Sequence, residues 1–203
     1  MTHPIRLYGD PFLRRPVRRV GAFDDALEAL ADELIDTMAE ADGVGLAATQ
    51  IGVDARIFVM SGYANGLPDP DAPPSPEEER AAVVVVVNPE LLDRQGRQLA
   101  VEGCLSLPGL VHDAIPRDAR LRLRYQDLRG TFVERDVQGR EAVVVQHESD
   151  HLDGVLFIDR LAEADRREFM EEHRAALAEF QRDARAFLKQ ERAQRRASGK
   201  RRR

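Results

Sequence analysis

The stretch AVVVQHESDHLDG, residues 142–154, ends an apolar run with two of the chain's five histidines, His147 and His151, four positions apart. On an α-helix, residues i and i+4 share one face, so both imidazoles aim at one point. Glu148 lies one residue on from His147, about 100° further round, and reaches a water at that point without being forced to bind an ion. The pattern HExxH therefore predicts a helix that holds a divalent metal beside its own proton acceptor. Two histidines are not enough for chemistry, because a catalytic centre of this kind takes three protein ligands and keeps a fourth position for water.

The single cysteine offers the third ligand. Cys104 lies in VEGCLSLPG, residues 101–109, a turn-prone setting after a strand, where glycine lets backbone approach a ligand closely. A lone cysteine is more often a small buried hydrophobe. Against that stands the lack of any HExxHxxGxxH extension, or of a downstream glutamate-bearing helix that plainly completes a zinc protease site.

Outward from these two stretches the chain reads as one organised unit with two looser parts. FDDALEALADELIDTMAEA, residues 23–41, places Leu27, Leu30, Leu34 and Met38 at helical spacing behind Asp24 and Asp25. GVGLAATQIG, residues 43–52, is too glycine-rich to continue that helix, and ARIFVM, residues 55–60, reads as a strand. The stretch 62–80 is rich in proline and acid without an apolar period, which predicts a long, mobile surface insertion. AVVVVVNPELL, residues 82–92, predicts a strand covered on both faces and stopped by Pro89. RLRLRYQD and TFVERDV, residues 120–127 and 131–137, alternate cleanly about a turn, which predicts an antiparallel pair with one wet face. From about Ala162 onward the spacing predicts one amphipathic helix with Leu177, Phe180, Ala184 and Phe187 on its apolar side.

The bulk properties narrow the class. At 203 residues, 43% hydrophobic and 33% charged, the chain suits one soluble globular domain. No apolar run approaches the ~18 residues of a membrane span, and the polar start MTHPIRLYGD does not resemble a signal peptide. One cysteine cannot form an internal disulfide, so a reducing cytoplasm is the expected compartment. The net charge is −6, yet residues 194–203 hold Arg195, Arg196, Lys200, Arg201, Arg202 and Arg203 and no acid.

Three blocks, GVGLAATQIG, EGCLSLPG and QHESDHLDGVLF, resemble the three signature motifs of the peptide deformylases, in that family's order and near its spacing. The opening IRLYGDPFLRRPV, residues 5–17, is similar to the family's N-terminal strand and turn, and the resemblance runs from about Ile5 to Leu161. It implies an α+β fold, with antiparallel β-sheets wrapped around a central HExxH helix, an N-terminal helix and a long C-terminal helix. It divides the chain into a catalytic domain, 1–161, carrying the insertion 62–80, and a C-terminal helix with basic tail, 162–203. The implied activity is removal of the N-formyl group from the initiator methionine of new polypeptides, releasing formate.

By that resemblance Cys104, His147 and His151 hold one divalent metal, Fe²⁺ by preference, with Ni²⁺, Co²⁺ or Zn²⁺ able to substitute. Glu148 is then the base that takes a proton from water and hands it to the departing amine. The Gln50 side-chain amide and the Leu105 backbone N–H become the donors to the oxyanion. Gly45 contacts the peptide backbone, and Val44, Val143 and Val144 line the methionine pocket. Asp150 pairs with an arginine after EGCLS, for which Arg117 is the candidate.

Two stretches depart from the family pattern. Leu110, Val111 and His112 stand where many bacterial relatives carry a peptide-anchoring arginine, and Arg140 falls where an aliphatic pocket residue is common. The expected partners are N-formylmethionyl nascent peptides and, through the C-terminal helix and basic tail, the ribosome near its exit tunnel, with no membrane. Phosphate contacts would make that docking strongly salt-dependent. Two rival readings are an HExxH endopeptidase and a ribosome-binding protein with a structural metal, whose fourth ligand would have to come from a residue such as His112.

Overall fold

Residues 1–67, 69 and 71–200 are described by the structure, a computed structural model. Helix α1, Asp25–Glu40, starts where the Asp24 side chain accepts the Leu27 N–H, and it buries Leu27, Ala31, Leu34 and Met38. The glycine-rich segment after it divides into strand β1, Gly45–Ala47, and a 3-10 turn, Ala48–Ile51, all of them buried. Strand β2, Ile57–Met60, pairs antiparallel with β1 on one side and with β3, Val84–Gln95, on the other.

β3 is covered on both faces as expected: consecutive Val86 and Val87 enter two different core clusters. Pro89 does not stop it, contrary to the sequence reading. The ladder shifts register between Val87 and Glu90, and Asn88 takes φ 53° inside the shift. A bulge relieves proline of the N–H that a regular ladder would demand. Asn88 secures it, donating to Val20 O at 2.9 Å and to Gln126 Oε1 at 2.8 Å.

Strands β4, Gln98–Cys104, and β5, Leu107–Arg117, form a separate two-stranded sheet closed by a tight turn at Leu105 and Ser106. The alternating segments form the expected antiparallel pair, β6 (Arg120–Gln126) and β7 (Phe132–Gln138). They complete a five-stranded sheet in the order β1-β2-β3-β6-β7. The molecule is thus α+β, with antiparallel sheets.

Most described residues of the insertion are exposed as expected, although Ala64 near its start is buried, and its end is a helix, α2, Pro76–Ala81, with a reciprocal cap between Ser75 and Glu78. Arg80 ties it to α1 through Asp32 at 2.8 Å and Asp36 at 2.6 Å. The S-P-E-E spelling carried that signal.

Helix α3, Gly139–Leu152, carries HExxH. Gly139 sits at φ 61°, a left-handed conformation that a side chain would strain, and it turns β7 directly into the helix. Ala142, Val144, Val145 and Leu152 pack with Phe58, Met60, Val86, Leu121 and Leu123 of the large sheet.

The chain beyond Ala162 is two helices, not one: α4, Glu163–Glu172, and α5, Arg174–Lys200, which break at His173. Phe169 and Leu177 both enter the third core cluster, with Leu107, Ile115, Leu156 and Phe157. Eight residues apart, they would face about 80° apart on a straight helix, and the break brings both to one site. Leu177 and Ala184 are buried, and Phe180 and Phe187 half-buried, so the apolar side of α5 is as expected. Arg201, Arg202 and Arg203 lie outside the described residues.

Candidate metal centre

Cys104 ends β4, while His147 and His151 sit one turn apart on α3. The fold brings their ligand atoms within 4.8 Å of one another. Cys104 Sγ lies 3.2 Å from His151 Nε2, and the two imidazoles meet edge to face with centroids 4.9 Å apart. Burial alone would push the Cys104 thiol up, but His151 and His147 beside it hold it well below its ordinary value. Burial would lower His147, yet the Cys104 sulfur and Glu102 leave it well above the imidazole range. A sulfur held as thiolate between two imidazoles is a donor set that suits a soft or borderline divalent ion.

His147 is oriented from behind. Its Nδ1 lies 2.7 Å from Glu102 Oε2, which turns Nε2 toward Cys104 and His151. Glu102 in turn accepts a fork from Arg117, Nε at 2.6 Å and Nη2 at 2.8 Å. Arg117 Nη1 donates to Asp150 Oδ2 at 2.6 Å, so the pairing expected between Asp150 and Arg117 is present. Arg160 closes the far end on both Asp150 oxygens. Glu102 and Arg117 are each about 5% exposed, and a desolvated ion pair survives only with this completeness of partners. Glu102 and Arg160 were not anticipated. β4 points Leu99 and Val101 at solvent and Glu102 inward, so alternation of polarity places this carboxylate on the wrong face.

Glu148 is 4% exposed and its Oε2 has no hydrogen-bond partner among the described residues. Burial pushes its carboxyl up to about 7, even though His147 and His151 pull the other way. Gly45 leaves room for it: a Cβ there would stand 2.4 Å from Glu148 Oε1. Gln50 is held by its own turn, its Oε1 accepting the Ala47 N–H at 2.9 Å. That leaves its Nε2 free to point at the site, 3.7 Å from Cys104 Sγ and 3.4 Å from Ser106 Oγ. The Gln50 carbonyl also accepts the Arg6 N–H at 2.7 Å, which anchors the turn to the N-terminal segment.

A cleft of about 270 Å³ opens onto this cluster. Val44, Val143 and Val144 line it together with Gly45, Gln50 and Leu105, and His147 and Glu148 form the wall nearest the cysteine. Val144 also packs into the core, and Val44 is 43% exposed at the mouth. Arg140 and Asp42 stand on the rim. His112 stays apart from the cluster, its Nδ1 accepting the Ala114 N–H at 3.1 Å and its ring against Phe169.

A family model described as polypeptide deformylase matches residues 2–167. A peptide deformylase of Thermus thermophilus is 47% identical over 196 residues, covering 94% of this chain and 98% of that protein. One of Alkalilimnicola ehrlichii is 43% identical over 163 residues, 80% of this chain and 84% of that protein. The crystal structure of a Thermus thermophilus peptide deformylase superposes with a TM-score of 0.79 at 44% identity, covering 90% of this chain and 99% of that one. A Met-Ala-Ser-bound class I type b peptide deformylase from Acinetobacter baumannii gives 0.68 at 34% identity, covering 79% and 99%.

Proposed function

This chain belongs to the polypeptide deformylase family and removes the N-formyl group from nascent peptides, and we propose that Cys104, His147 and His151 hold the divalent ion for that hydrolysis while Glu148 carries the proton. The observation that carries the proposal is three ligand atoms within 4.8 Å of one another beside a buried carboxylate with an unpartnered oxygen. One thiolate and two imidazoles fit a catalytic three-ligand site, and Glu102 presets the His147 ring. When bound, the ion supplies Lewis-acid polarisation and a water activated near neutral pH. Fe²⁺ is the expected resident, with Ni²⁺, Co²⁺ or Zn²⁺ as substitutes, because this donor set admits each of them.

Glu148, with its carboxyl near 7, accepts a proton from the attacking water at one oxygen and returns it to the leaving amine nitrogen. Gln50 Nε2 and the Leu105 N–H donate to the formyl oxygen as it gains charge. Gly45 offers backbone to the peptide, and Val44, Val143 and Val144 receive the methionine side chain. Met-Ala-Ser in the Acinetobacter relative supports a peptide of this class in the cleft. We read α3 as the central element on which both sheets converge, with 1–161 as the catalytic part and 162–203 as its appendage.

That appendage is a basic docking element in this reading, and the cytoplasm is where it would meet ribosomes. Arg185, Lys189, Arg192 and Arg196 line one exposed groove on α5, and rRNA offers the complementary phosphate charge. No helix among the described residues is long and apolar enough to cross a membrane. A structural metal site is disfavoured by His112 lying outside the cluster, and an endopeptidase leaves EGCLS and GVGLAATQ unused.

The test is formate release from formyl-Met-Ala-Ser by protein purified without oxygen, with metal content measured on the same sample. Wild type should carry about one ion per chain and turn over, and Cys104→Ser should lose or exchange the ion. A serine variant that is fully loaded and equally active removes Cys104 from the ligand set.

A further inference from the structure

We propose that Arg140 determines specificity, recognising an acidic side chain one or two positions downstream of the formylmethionine; the inference rests on the peptide binding in the cleft described above. Arg140 lines that cleft and is solvent-exposed. Its guanidinium makes no ion pair or hydrogen bond among the described residues, whereas the adjacent Glu141 is paired with Arg135. Structural support does not explain it either. Arg140 is the second residue of α3, and a cation in the first turn opposes the helix macrodipole. A charge that is unfavourable for its helix and unpaired within its own fold is available to a ligand.

The reach is right for the second or third residue of a bound peptide. Val143 and Val144, which receive the methionine, lie one helical turn beyond Arg140, about 5 Å along the axis. An extended peptide advances about 3.3 Å per residue, and the arginine side chain covers the remainder. The C-terminal carboxylate of a nascent chain is esterified, so its accessible anions here are Asp and Glu side chains, and a guanidinium fork matches a carboxylate. Asp42 stands on the same rim, exposed and in a left-handed conformation with φ 51°. It favours the opposite charge, but its side chain is short and reaches less far than the arginine, so Arg140 sets the preference.

The experiment measures kcat and KM of the metal-loaded enzyme on formyl-Met-Glu-Ala and formyl-Met-Ala-Glu against their lysine counterparts. Wild type should favour the acidic peptide of at least one pair by about fivefold, the scale of one exposed ion pair. The gain should appear in KM, because the contact does not change during the reaction, and it should shrink in 0.5 M salt as screening shortens to a few ångströms, about 4 Å. Arg140→Leu should bring the ratio near one, and Arg140→Glu should invert it, an outcome that loss of folding does not produce. A ratio unchanged in Arg140→Leu, or a wild-type preference for lysine, overturns the inference. Failure to release formate from every one of these peptides would instead count against the reading of the site itself.

Discussion

Helices α3 and α5 are both rich in ionisable residues and handle them in opposite ways. α3 has 14 residues and buries ten of them, among them Glu148, Asp150 and His151. α5 has 27 residues, and between Arg192 and Ala197 every described position is exposed. A buried charge in α3 costs desolvation that a specific partner offsets, as Glu102 does for His147, and Arg117 and Arg160 do for Asp150. Apart from Glu191, which pairs with the buried Arg6, a charge on α5 stays in water, and its pairings are worth a few tenths of a kcal/mol. Position matters in the first helix. In the second, what matters is net charge and its distribution.

The sharpest way to break that contrast is at Glu148, the α3 charge with an unpartnered oxygen. Glu148→Gln keeps the shape and the three ligands and removes the proton acceptor. Turnover should fall by about 10²–10⁴-fold at unchanged metal content. A variant that kept more than about a tenth of the wild-type rate would leave Glu148 as a buried polar residue without the general-base role.

The same contrast explains what could be read from the chain alone. His147, Glu148 and His151 are legible because one helical turn brings the two histidines together, and Cys104 because it stands alone in a glycine-rich turn. Glu102 is hidden, since its strand turns apolar Leu99 and Val101 outward and makes the inner carboxylate look like the exposed one. The β3 bulge is hidden for a related reason. Proline is a local signal to stop, and the hydrogen bonds that let the strand pass it come from Val20 and Gln126, far away in sequence. The break at His173 is set by what Phe169 and Leu177 must reach across space, which no period within the helix encodes.

A second, smaller effect is expected one layer behind the cluster. Arg117→Met fits the volume but removes three hydrogen bonds to two buried carboxylates. Stripping one partner from a buried pair costs about 3–5 kcal/mol, read as a lower midpoint in urea. Arg160 still holds Asp150, so the loss should lie at the low end of that range. Glu102 then has only His147 as its charged partner, and metal affinity should weaken about 10–100-fold. A variant with wild-type stability and metal affinity would mean that the network is ornamental and that burial alone positions the ring.

The smallest effect on stability and hydrolysis belongs at the other helix. Removing residues 194–203 deletes the basic end of α5 together with Arg195, whose side chain is 76% exposed and whose ion pair with Glu191 spans one turn at 3.0 Å. Such a pair contributes a few tenths of a kcal/mol at most. Glu191 keeps its contact with Arg6 at 3.1 Å, so the link from α5 to the Gln50 turn stays in place. The truncated protein should therefore unfold within about 0.5 kcal/mol of wild type and hydrolyse a short formyl peptide at the same rate. Its cosedimentation with ribosomes should weaken at low salt, because fewer phosphate contacts release fewer counterions, and the slope of binding against salt should flatten. Equal cosedimentation by both forms would leave the tail as a solubilising end. A large loss of stability would go further, showing that α5 positions its charges as strictly as α3 does.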